Sequence, residues 1–93
     1  MPSPSDPYAA FAPSPSAPAR RAEAVTPSDG DDLSNLAKAL YVGVAGNVRV
    51  VPAASPGGAA VTFFSHPVGY LPIQCIRVLA TGTTAGSIVA LFD

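Results

Sequence analysis

The chain has 93 residues, a net charge of −1 and a mean hydropathy of +0.35, with one cysteine, one histidine and no tryptophan. That length allows one domain; its five basic residues are scattered, which excludes the basic patch of a nucleic-acid binder, and the set of metal-binding side chains is too small for a zinc site. A core drawn from roughly seventy residues buries only about 60% of the unfolded surface, so the domain needs outside help; a lone cysteine cannot close an internal disulfide, and assembly with other subunits is the expected source of stability.

Residues 1–20 read as an extended N-terminal arm, and residues 21–93 as a β domain. The stretch 1–19, MPSPSDPYAAFAPSPSAPA, holds six prolines, four serines and five alanines around a single charge. Proline fixes φ and removes donors, while serine and alanine supply too little apolar area to offset ordering, so an extended, partly polyproline segment is predicted. Tyr8 and Phe11 do not suit a plain spacer. With Arg20 and Arg21 they are the candidate partner-docking residues of the arm. No hydrophobic stretch follows Arg20-Arg21, so a twin-arginine signal is not expected; no apolar run reaches membrane-spanning length, and no membrane insertion is expected.

A first strand is predicted over 22–25, followed by a corner over 26–32 where the arm enters the fold. This corner concentrates carboxylates: Asp29, Asp31 and Asp32 in SDGDD. An oxygen-ligand loop of the EF-hand type needs a bidentate glutamate at its end, and there is none, so no metal is assigned. Pro27 and Gly30 suit a turn, Ser28 and Asp29 can bond the backbone two residues on, and Asp31 or Asp32 can cap a helical turn. In DDLSNLAKAL, Leu33, Leu36, Ala37 and Leu40 fall at helical spacing, which predicts that turn over about 32–37, running into a strand near 38.

The remaining pattern is β. KALYV (38–42) and VRVVP (48–52), joined through Gly46-Asn47, predict a hairpin. AAVTFFS (59–65) follows an SPGG turn, with Val61 and Phe63 on one face and Thr62 and Phe64 on the other. LPIQCIRVLA (71–80) reads as the longest strand, with Ile76 and Val78 opposite Arg77, and SIVALFD (87–93) closes the chain. Short strands with Gly and Pro turns give the predicted fold class: mainly β, a small antiparallel β-sandwich or barrel of about five to seven short strands behind the arm.

Chemistry is sparse. His66, the one side chain that titrates near neutrality, precedes Pro67 in a turn, and Cys75 lies in an apolar run that reads as core. No phosphate-cradling glycine motif follows a strand. No catalytic residue, no cofactor and no enzymatic activity is assigned.

The strings ARRAEAVTPSDGDDL (19–33), ALYVGVAGNVRVV (39–51), VTFFSHPVGYLPIQCIRVLATGTTA (61–85) and IVALFD (88–93) resemble the spike base proteins of gene transfer agents and related prophages. The most specific pieces are Thr26-Pro27-Ser28-Asp29, Ala39-Leu40-Tyr41-Val42-Gly43 and Leu79-Ala80-Thr81-Gly82-Thr83-Thr84; Gln74 and Cys75 depart from the pattern. The resemblance implies a structural, virion-like protein made in the bacterial cytoplasm and assembled on the outer surface of a phage-like head. It implies a homopentamer as the base of head spikes, with the major capsid protein at five-fold vertices and a polysaccharide-binding spike fibre as partners. The competing function is a small carbohydrate-binding β module contacting the recipient cell surface, with Tyr41, Phe63, Phe64 and Tyr70 as candidate platforms.

Overall fold

A computed structural model of the chain describes residues 4–10, 12, 14 and 16–93. Seven strands form two antiparallel sheets: β1 (Arg21–Ala24), β2 (Ala39–Val44), β3 (Gly46–Pro52), β4 (Val61–His66), β5 (Gly69–Leu71), β6 (Cys75–Val78) and β7 (Gly86–Phe92). One sheet has the order β1-β7-β2-β5 and the other β4-β3-β6. Both sheets are open, so the fold is a two-sheet arrangement and not a closed barrel. Its core takes alternate residues of β2, β3 and β7, namely Leu40 and Val42, Val48 and Val50, and Ile88, Ala90 and Phe92, with Cys75 and Val78 from the two ends of β6.

The predicted hairpin does not form. Strands β2 and β3 are separated only by Ala45, yet they lie in different sheets. The glycine at 46 serves close approach and not a hairpin turn. A Cβ there would lie 2.7 Å from the Ala85 nitrogen and 2.8 Å from Thr84 Oγ1. The loop before β7 packs against the crossing, where Asn47 N–H donates to Thr84 Oγ1 (2.8 Å) and the N–H groups of Thr84 and Ala85 donate to the Asn47 carbonyl. The long strand over 71–80 is likewise two strands in two sheets. Pro72 has no N–H to give a ladder, and Ile73 N–H turns back onto the Leu71 carbonyl.

The helical turn expected over 32–37 is absent, because the donors of this segment go elsewhere. Leu33 N–H donates to the Ile76 carbonyl, Ser28 N–H to that of Val78, and Ala37 exchanges both backbone bonds with Cys75. Residues 28–37 thus run along the outer edge of β6 and cover it. Leu33 packs against the core and Ala37 is buried, while Leu36 is 52% exposed, so the leucine spacing marks an irregular segment that meets the core at intervals.

The acidic corner disperses its carboxylates. Asp29 accepts from the Thr81 hydroxyl (2.6 Å) and the Thr81 N–H (2.9 Å), tying the corner to the loop after β6. Asp32 accepts from Arg77 Nε at 2.8 Å and pairs with its Nη2 at 2.7 Å, while Arg77 Nη1 donates to the Asp29 carbonyl. Neither of these residues makes the expected local bond or cap. Ser28 does: its hydroxyl accepts from the N–H groups of Gly30 and Asp31.

The Thr81 hydroxyl and N–H hold the Asp29 carboxyl below the usual carboxylate range. A depressed folded-state pKa gives stability that is present at neutral pH and lost as pH falls through the folded value. Asp29→Asn is therefore expected to melt below the wild type at pH 7, with the gap closing as pH drops beneath about 4, the ordinary carboxylate value. Paired thermal melts across that range check it; a gap independent of pH would contradict it.

Candidate docking site at the root of the arm

The arm does not leave the domain freely. Ala17, Pro18 and Ala19 share a cleft of about 410 Å³ with Lys38, Ala39, Leu91 and Tyr70. Lys38, at the entry to β2, holds this contact. Its side chain is only 8% exposed, and its ammonium donates to the Ser14 carbonyl (2.8 Å), the Ala17 carbonyl (2.9 Å) and Asp93 Oδ1 (2.5 Å). Three donors meet three acceptors, which offsets the desolvation of the charge. The backbone helps to place it: Lys38 N–H donates to the Leu91 carbonyl next to β2. Sequence reasoning missed Lys38; the signal was a lysine set between two core residues, Ala37 and Leu40.

The four docking residues expected from sequence fare differently. Phe11 lies outside the described residues. Tyr8 is exposed and, with Ala12, Ala17, Arg20 and Asp93, lines a second cleft of about 590 Å³. Arg20 pairs with Asp6, whose carboxyl is held below the usual range by the Arg20 guanidinium and by the Tyr8 N–H. Arg21 pairs with Glu23 and places its guanidinium 4.2 Å from the centroid of the Phe92 ring. The two arginines thus fasten the arm and β1 to their own chain. The described arm residues also turn instead of running straight, with Ala9 N–H on the Asp6 carbonyl and Ala17 N–H on that of Ser14. Asp6 and Lys38 impose those turns on a sequence that would otherwise be extended.

The sheet carrying this site has an apolar outer face. Tyr41 and Tyr70 stand opposite each other on β2 and β5, with ring centroids 5.6 Å apart in an edge-to-face arrangement at 73°. Tyr41 faces Val89 on β7, and Leu91 faces Ala39 on one side and Ala22 on the other. The remaining exposed aromatic among the described residues is Phe64 on the edge strand β4, at 76%. Phe63 packs against the core and Phe64 does not, as their adjacency on a strand predicts, while Val61, placed on the same face as Phe63, is 44% exposed.

The other sequence candidates do not gather into a reactive site. Cys75 is fully buried, and burial pushes its thiol up to about 11, away from thiolate chemistry. His66 Nδ1 is buried without a hydrogen-bond partner at the end of β4. Among the described residues, no three His, Cys, Asp or Glu side chains cluster as a metal site. No described helix is long and apolar enough to cross a membrane.

Replacing the Lys38 ammonium should release the arm. Lys38→Met is expected to cost about 1.5–3 kcal/mol, the range for hydrogen bonds to charged groups, and to make residues 14–20 the first site of limited proteolysis. Unchanged cleavage and unchanged stability would contradict the staple.

Comparison with known proteins bears on this arrangement. No protein-family model matches the chain, and no curated protein does. Among solved structures it is similar to a chain of the “Capsid of native GTA particle computed with C5 symmetry”, at 37% identity, covering 94% of this chain and 99% of that one, with a TM-score of 0.80. At that identity over nearly the full length of both, the chain belongs to the structural proteins of gene transfer agent (GTA) particles.

Proposed function

We propose that this protein is the base of the head spikes: a non-enzymatic ring subunit, five copies to a capsid vertex, that anchors a polysaccharide-binding fibre on the outside of the particle. One observation carries the reading, the similarity at 37% identity to a chain of a particle capsid solved with five-fold symmetry. The fold supports it. A small two-sheet domain whose outer sheet face is apolar gains stability from neighbours, and a ring supplies them at every subunit. In this reading residues 21–93 build the ring, and the arm, residues 1–20, docks onto another protein of the particle. Since Lys38 holds the root at Ser14 and Ala17, that docking falls in this reading to the part of the arm before residue 13, where Tyr8 and Phe11 lie.

The alternative, a carbohydrate-binding module, rests on Tyr41 and Tyr70. Their face otherwise carries Ala, Val and Leu side chains, which give a sugar few hydrogen-bonding partners. The spike base is the better-supported function.

Deletion of the gene is expected to leave DNA-filled heads intact while removing the head spikes, and to lower particle binding to recipient cells roughly tenfold or more as multivalent attachment is lost. Failure of head assembly, or undiminished binding by spike-free particles, would contradict the proposal.

A further inference from the structure

Asp29-Gly30 is the one place in the sequence where an aspartate or asparagine precedes a glycine. Such a pair carries its own chemistry. The glycine nitrogen can attack Cγ of the aspartate and close a succinimide ring; the amide proton and the carboxyl hydroxyl leave together as water. Water then opens the ring at either carbonyl. Opening at the side-chain carbonyl restores aspartate. Opening at the main-chain carbonyl leaves isoaspartate, with the chain routed through Cγ and lengthened by a methylene. Glycine favours the attack because it has no Cβ to obstruct the approach or restrict its backbone. Asp31, Asp32, Asn35 and Asn47 all precede residues with a Cβ, and Pro7 after Asp6 has no N–H.

Asp29 and Gly30 are exposed, and a Cβ built on Gly30 would have nothing within 4 Å, so neither exclusion of water nor crowding blocks the reaction. The reacting groups are instead held apart by their partners. Both carboxyl oxygens of Asp29 are occupied, Oδ1 by the Thr81 N–H (2.9 Å) and Oδ2 by the Thr81 hydroxyl (2.6 Å). The same bonds favour the ionised carboxyl, which has no hydroxyl to lose and is a poor electrophile. The attacking nitrogen is also engaged, since Gly30 N–H donates to Ser28 Oγ at 3.3 Å. The Asp29 carbonyl, in the same planar peptide unit as that nitrogen, accepts from Arg77 Nη1 at 3.1 Å. That bond resists the rotation that would swing the nitrogen toward Cγ. Thr81 lies 52 residues from Asp29 in the chain, so only the folded protein supplies the clasp.

We propose that Asp29-Gly30 is a latent isoaspartate site, and that Thr81 is the positioning residue that keeps it unreactive in the folded chain. Local opening of the clasp frees the carboxyl to take up a proton and meet the glycine nitrogen. The product matters because of where it forms. Ser28 N–H donates to the Val78 carbonyl and Leu33 N–H to that of Ile76, so the two residues flanking the site hold the segment that covers the outer edge of β6. A methylene inserted between them puts these bonds out of register, removes the Asp29 carboxylate from Thr81, and uncovers a strand edge open to pairing with other chains. The site therefore sets a chemical lifetime for the subunit. It involves no other protein and is independent of the assignment to a vertex.

The test ages purified full-length protein at neutral pH beside a synthetic peptide of residues 26–33, TPSDGDDL, which has the same sequence without the clasp. Succinimide and isoaspartate at residue 29 are followed by peptide mapping with mass spectrometry. Isoaspartate is expected to build up roughly tenfold more slowly in the protein, because two hydrogen bonds to the carboxylate must open first. Thr81→Val, which loses the hydroxyl, should age toward the peptide's rate, whereas Thr81→Ser, which keeps it, should age like the wild type. Adding Gly30→Ala to Thr81→Val should suppress the product, and the open space at Gly30 accommodates the methyl group. A cooperative melt shows which variants are folded, and the comparison of wild type with peptide holds even where Thr81→Val does not fold. Wild type ageing as fast as the peptide, folded Thr81→Val ageing no faster than wild type, or Thr81→Ser ageing as fast as Thr81→Val would each overturn the proposal.

Discussion

The burial of two small sheets against each other is the constraint on which the structure depends. The largest fully buried side chains are Leu40, Val42, Val48, Val50, Val78 and Cys75, drawn from both sheets. With so few side chains, truncating a single one costs about 2–5 kcal/mol, a large share of the stability of a domain this size. Neither sheet can exclude water alone, so the chain must visit both. It changes sheet at Ala45, between His66 and Gly69, between Leu71 and Cys75, and between Val78 and Gly86; Gly46 permits close packing at the first of these and Pro72 interrupts a ladder at the third. The same shortage explains the corner over 26–32. Its carboxylates hold the segment that covers the edge of β6, Asp29 on Thr81 and Asp32 on Arg77.

What the sequence disclosed depended on what its signals measure. Alternation located the strands, and Val61-Thr62-Phe63-Phe64 correctly separated an inward from an outward phenylalanine, because period two is a local property. Which strand pairs with which is not local. Gly46-Asn47 carries the chemistry of a hairpin turn, yet its neighbours lie in different sheets, since the contact that needs the glycine comes from residues 84 and 85. Leu33 and Ala37 meet the core without forming a helix because β6 offers their backbone a partner that no window of sequence reveals, and Leu40 does so as part of β2, between β5 and β7. The candidate site at the root of the arm was only partly visible in the sequence. Aromatics and arginines flagged the arm, but Lys38 gained its role from carbonyls 21 and 24 residues away.

Lys38 also connects fold to function. An ammonium bonded to Ser14, Ala17 and Asp93 fixes where the arm leaves the domain, next to a sheet face lined by Leu91, Ala39 and two tyrosines. A structural protein that works in a symmetric particle needs reproducible geometry at each contact more than it needs a reactive group. Buried charge with all donors satisfied supplies that geometry.

A symmetry-free reconstruction of the vertices of particles containing this protein tests the central claim most directly. Density fitting the two-sheet domain in five copies around each spike-bearing vertex, beneath a fibre, is the expected result. Vertices bare of that domain, or the domain located only away from the five-fold positions, would contradict it.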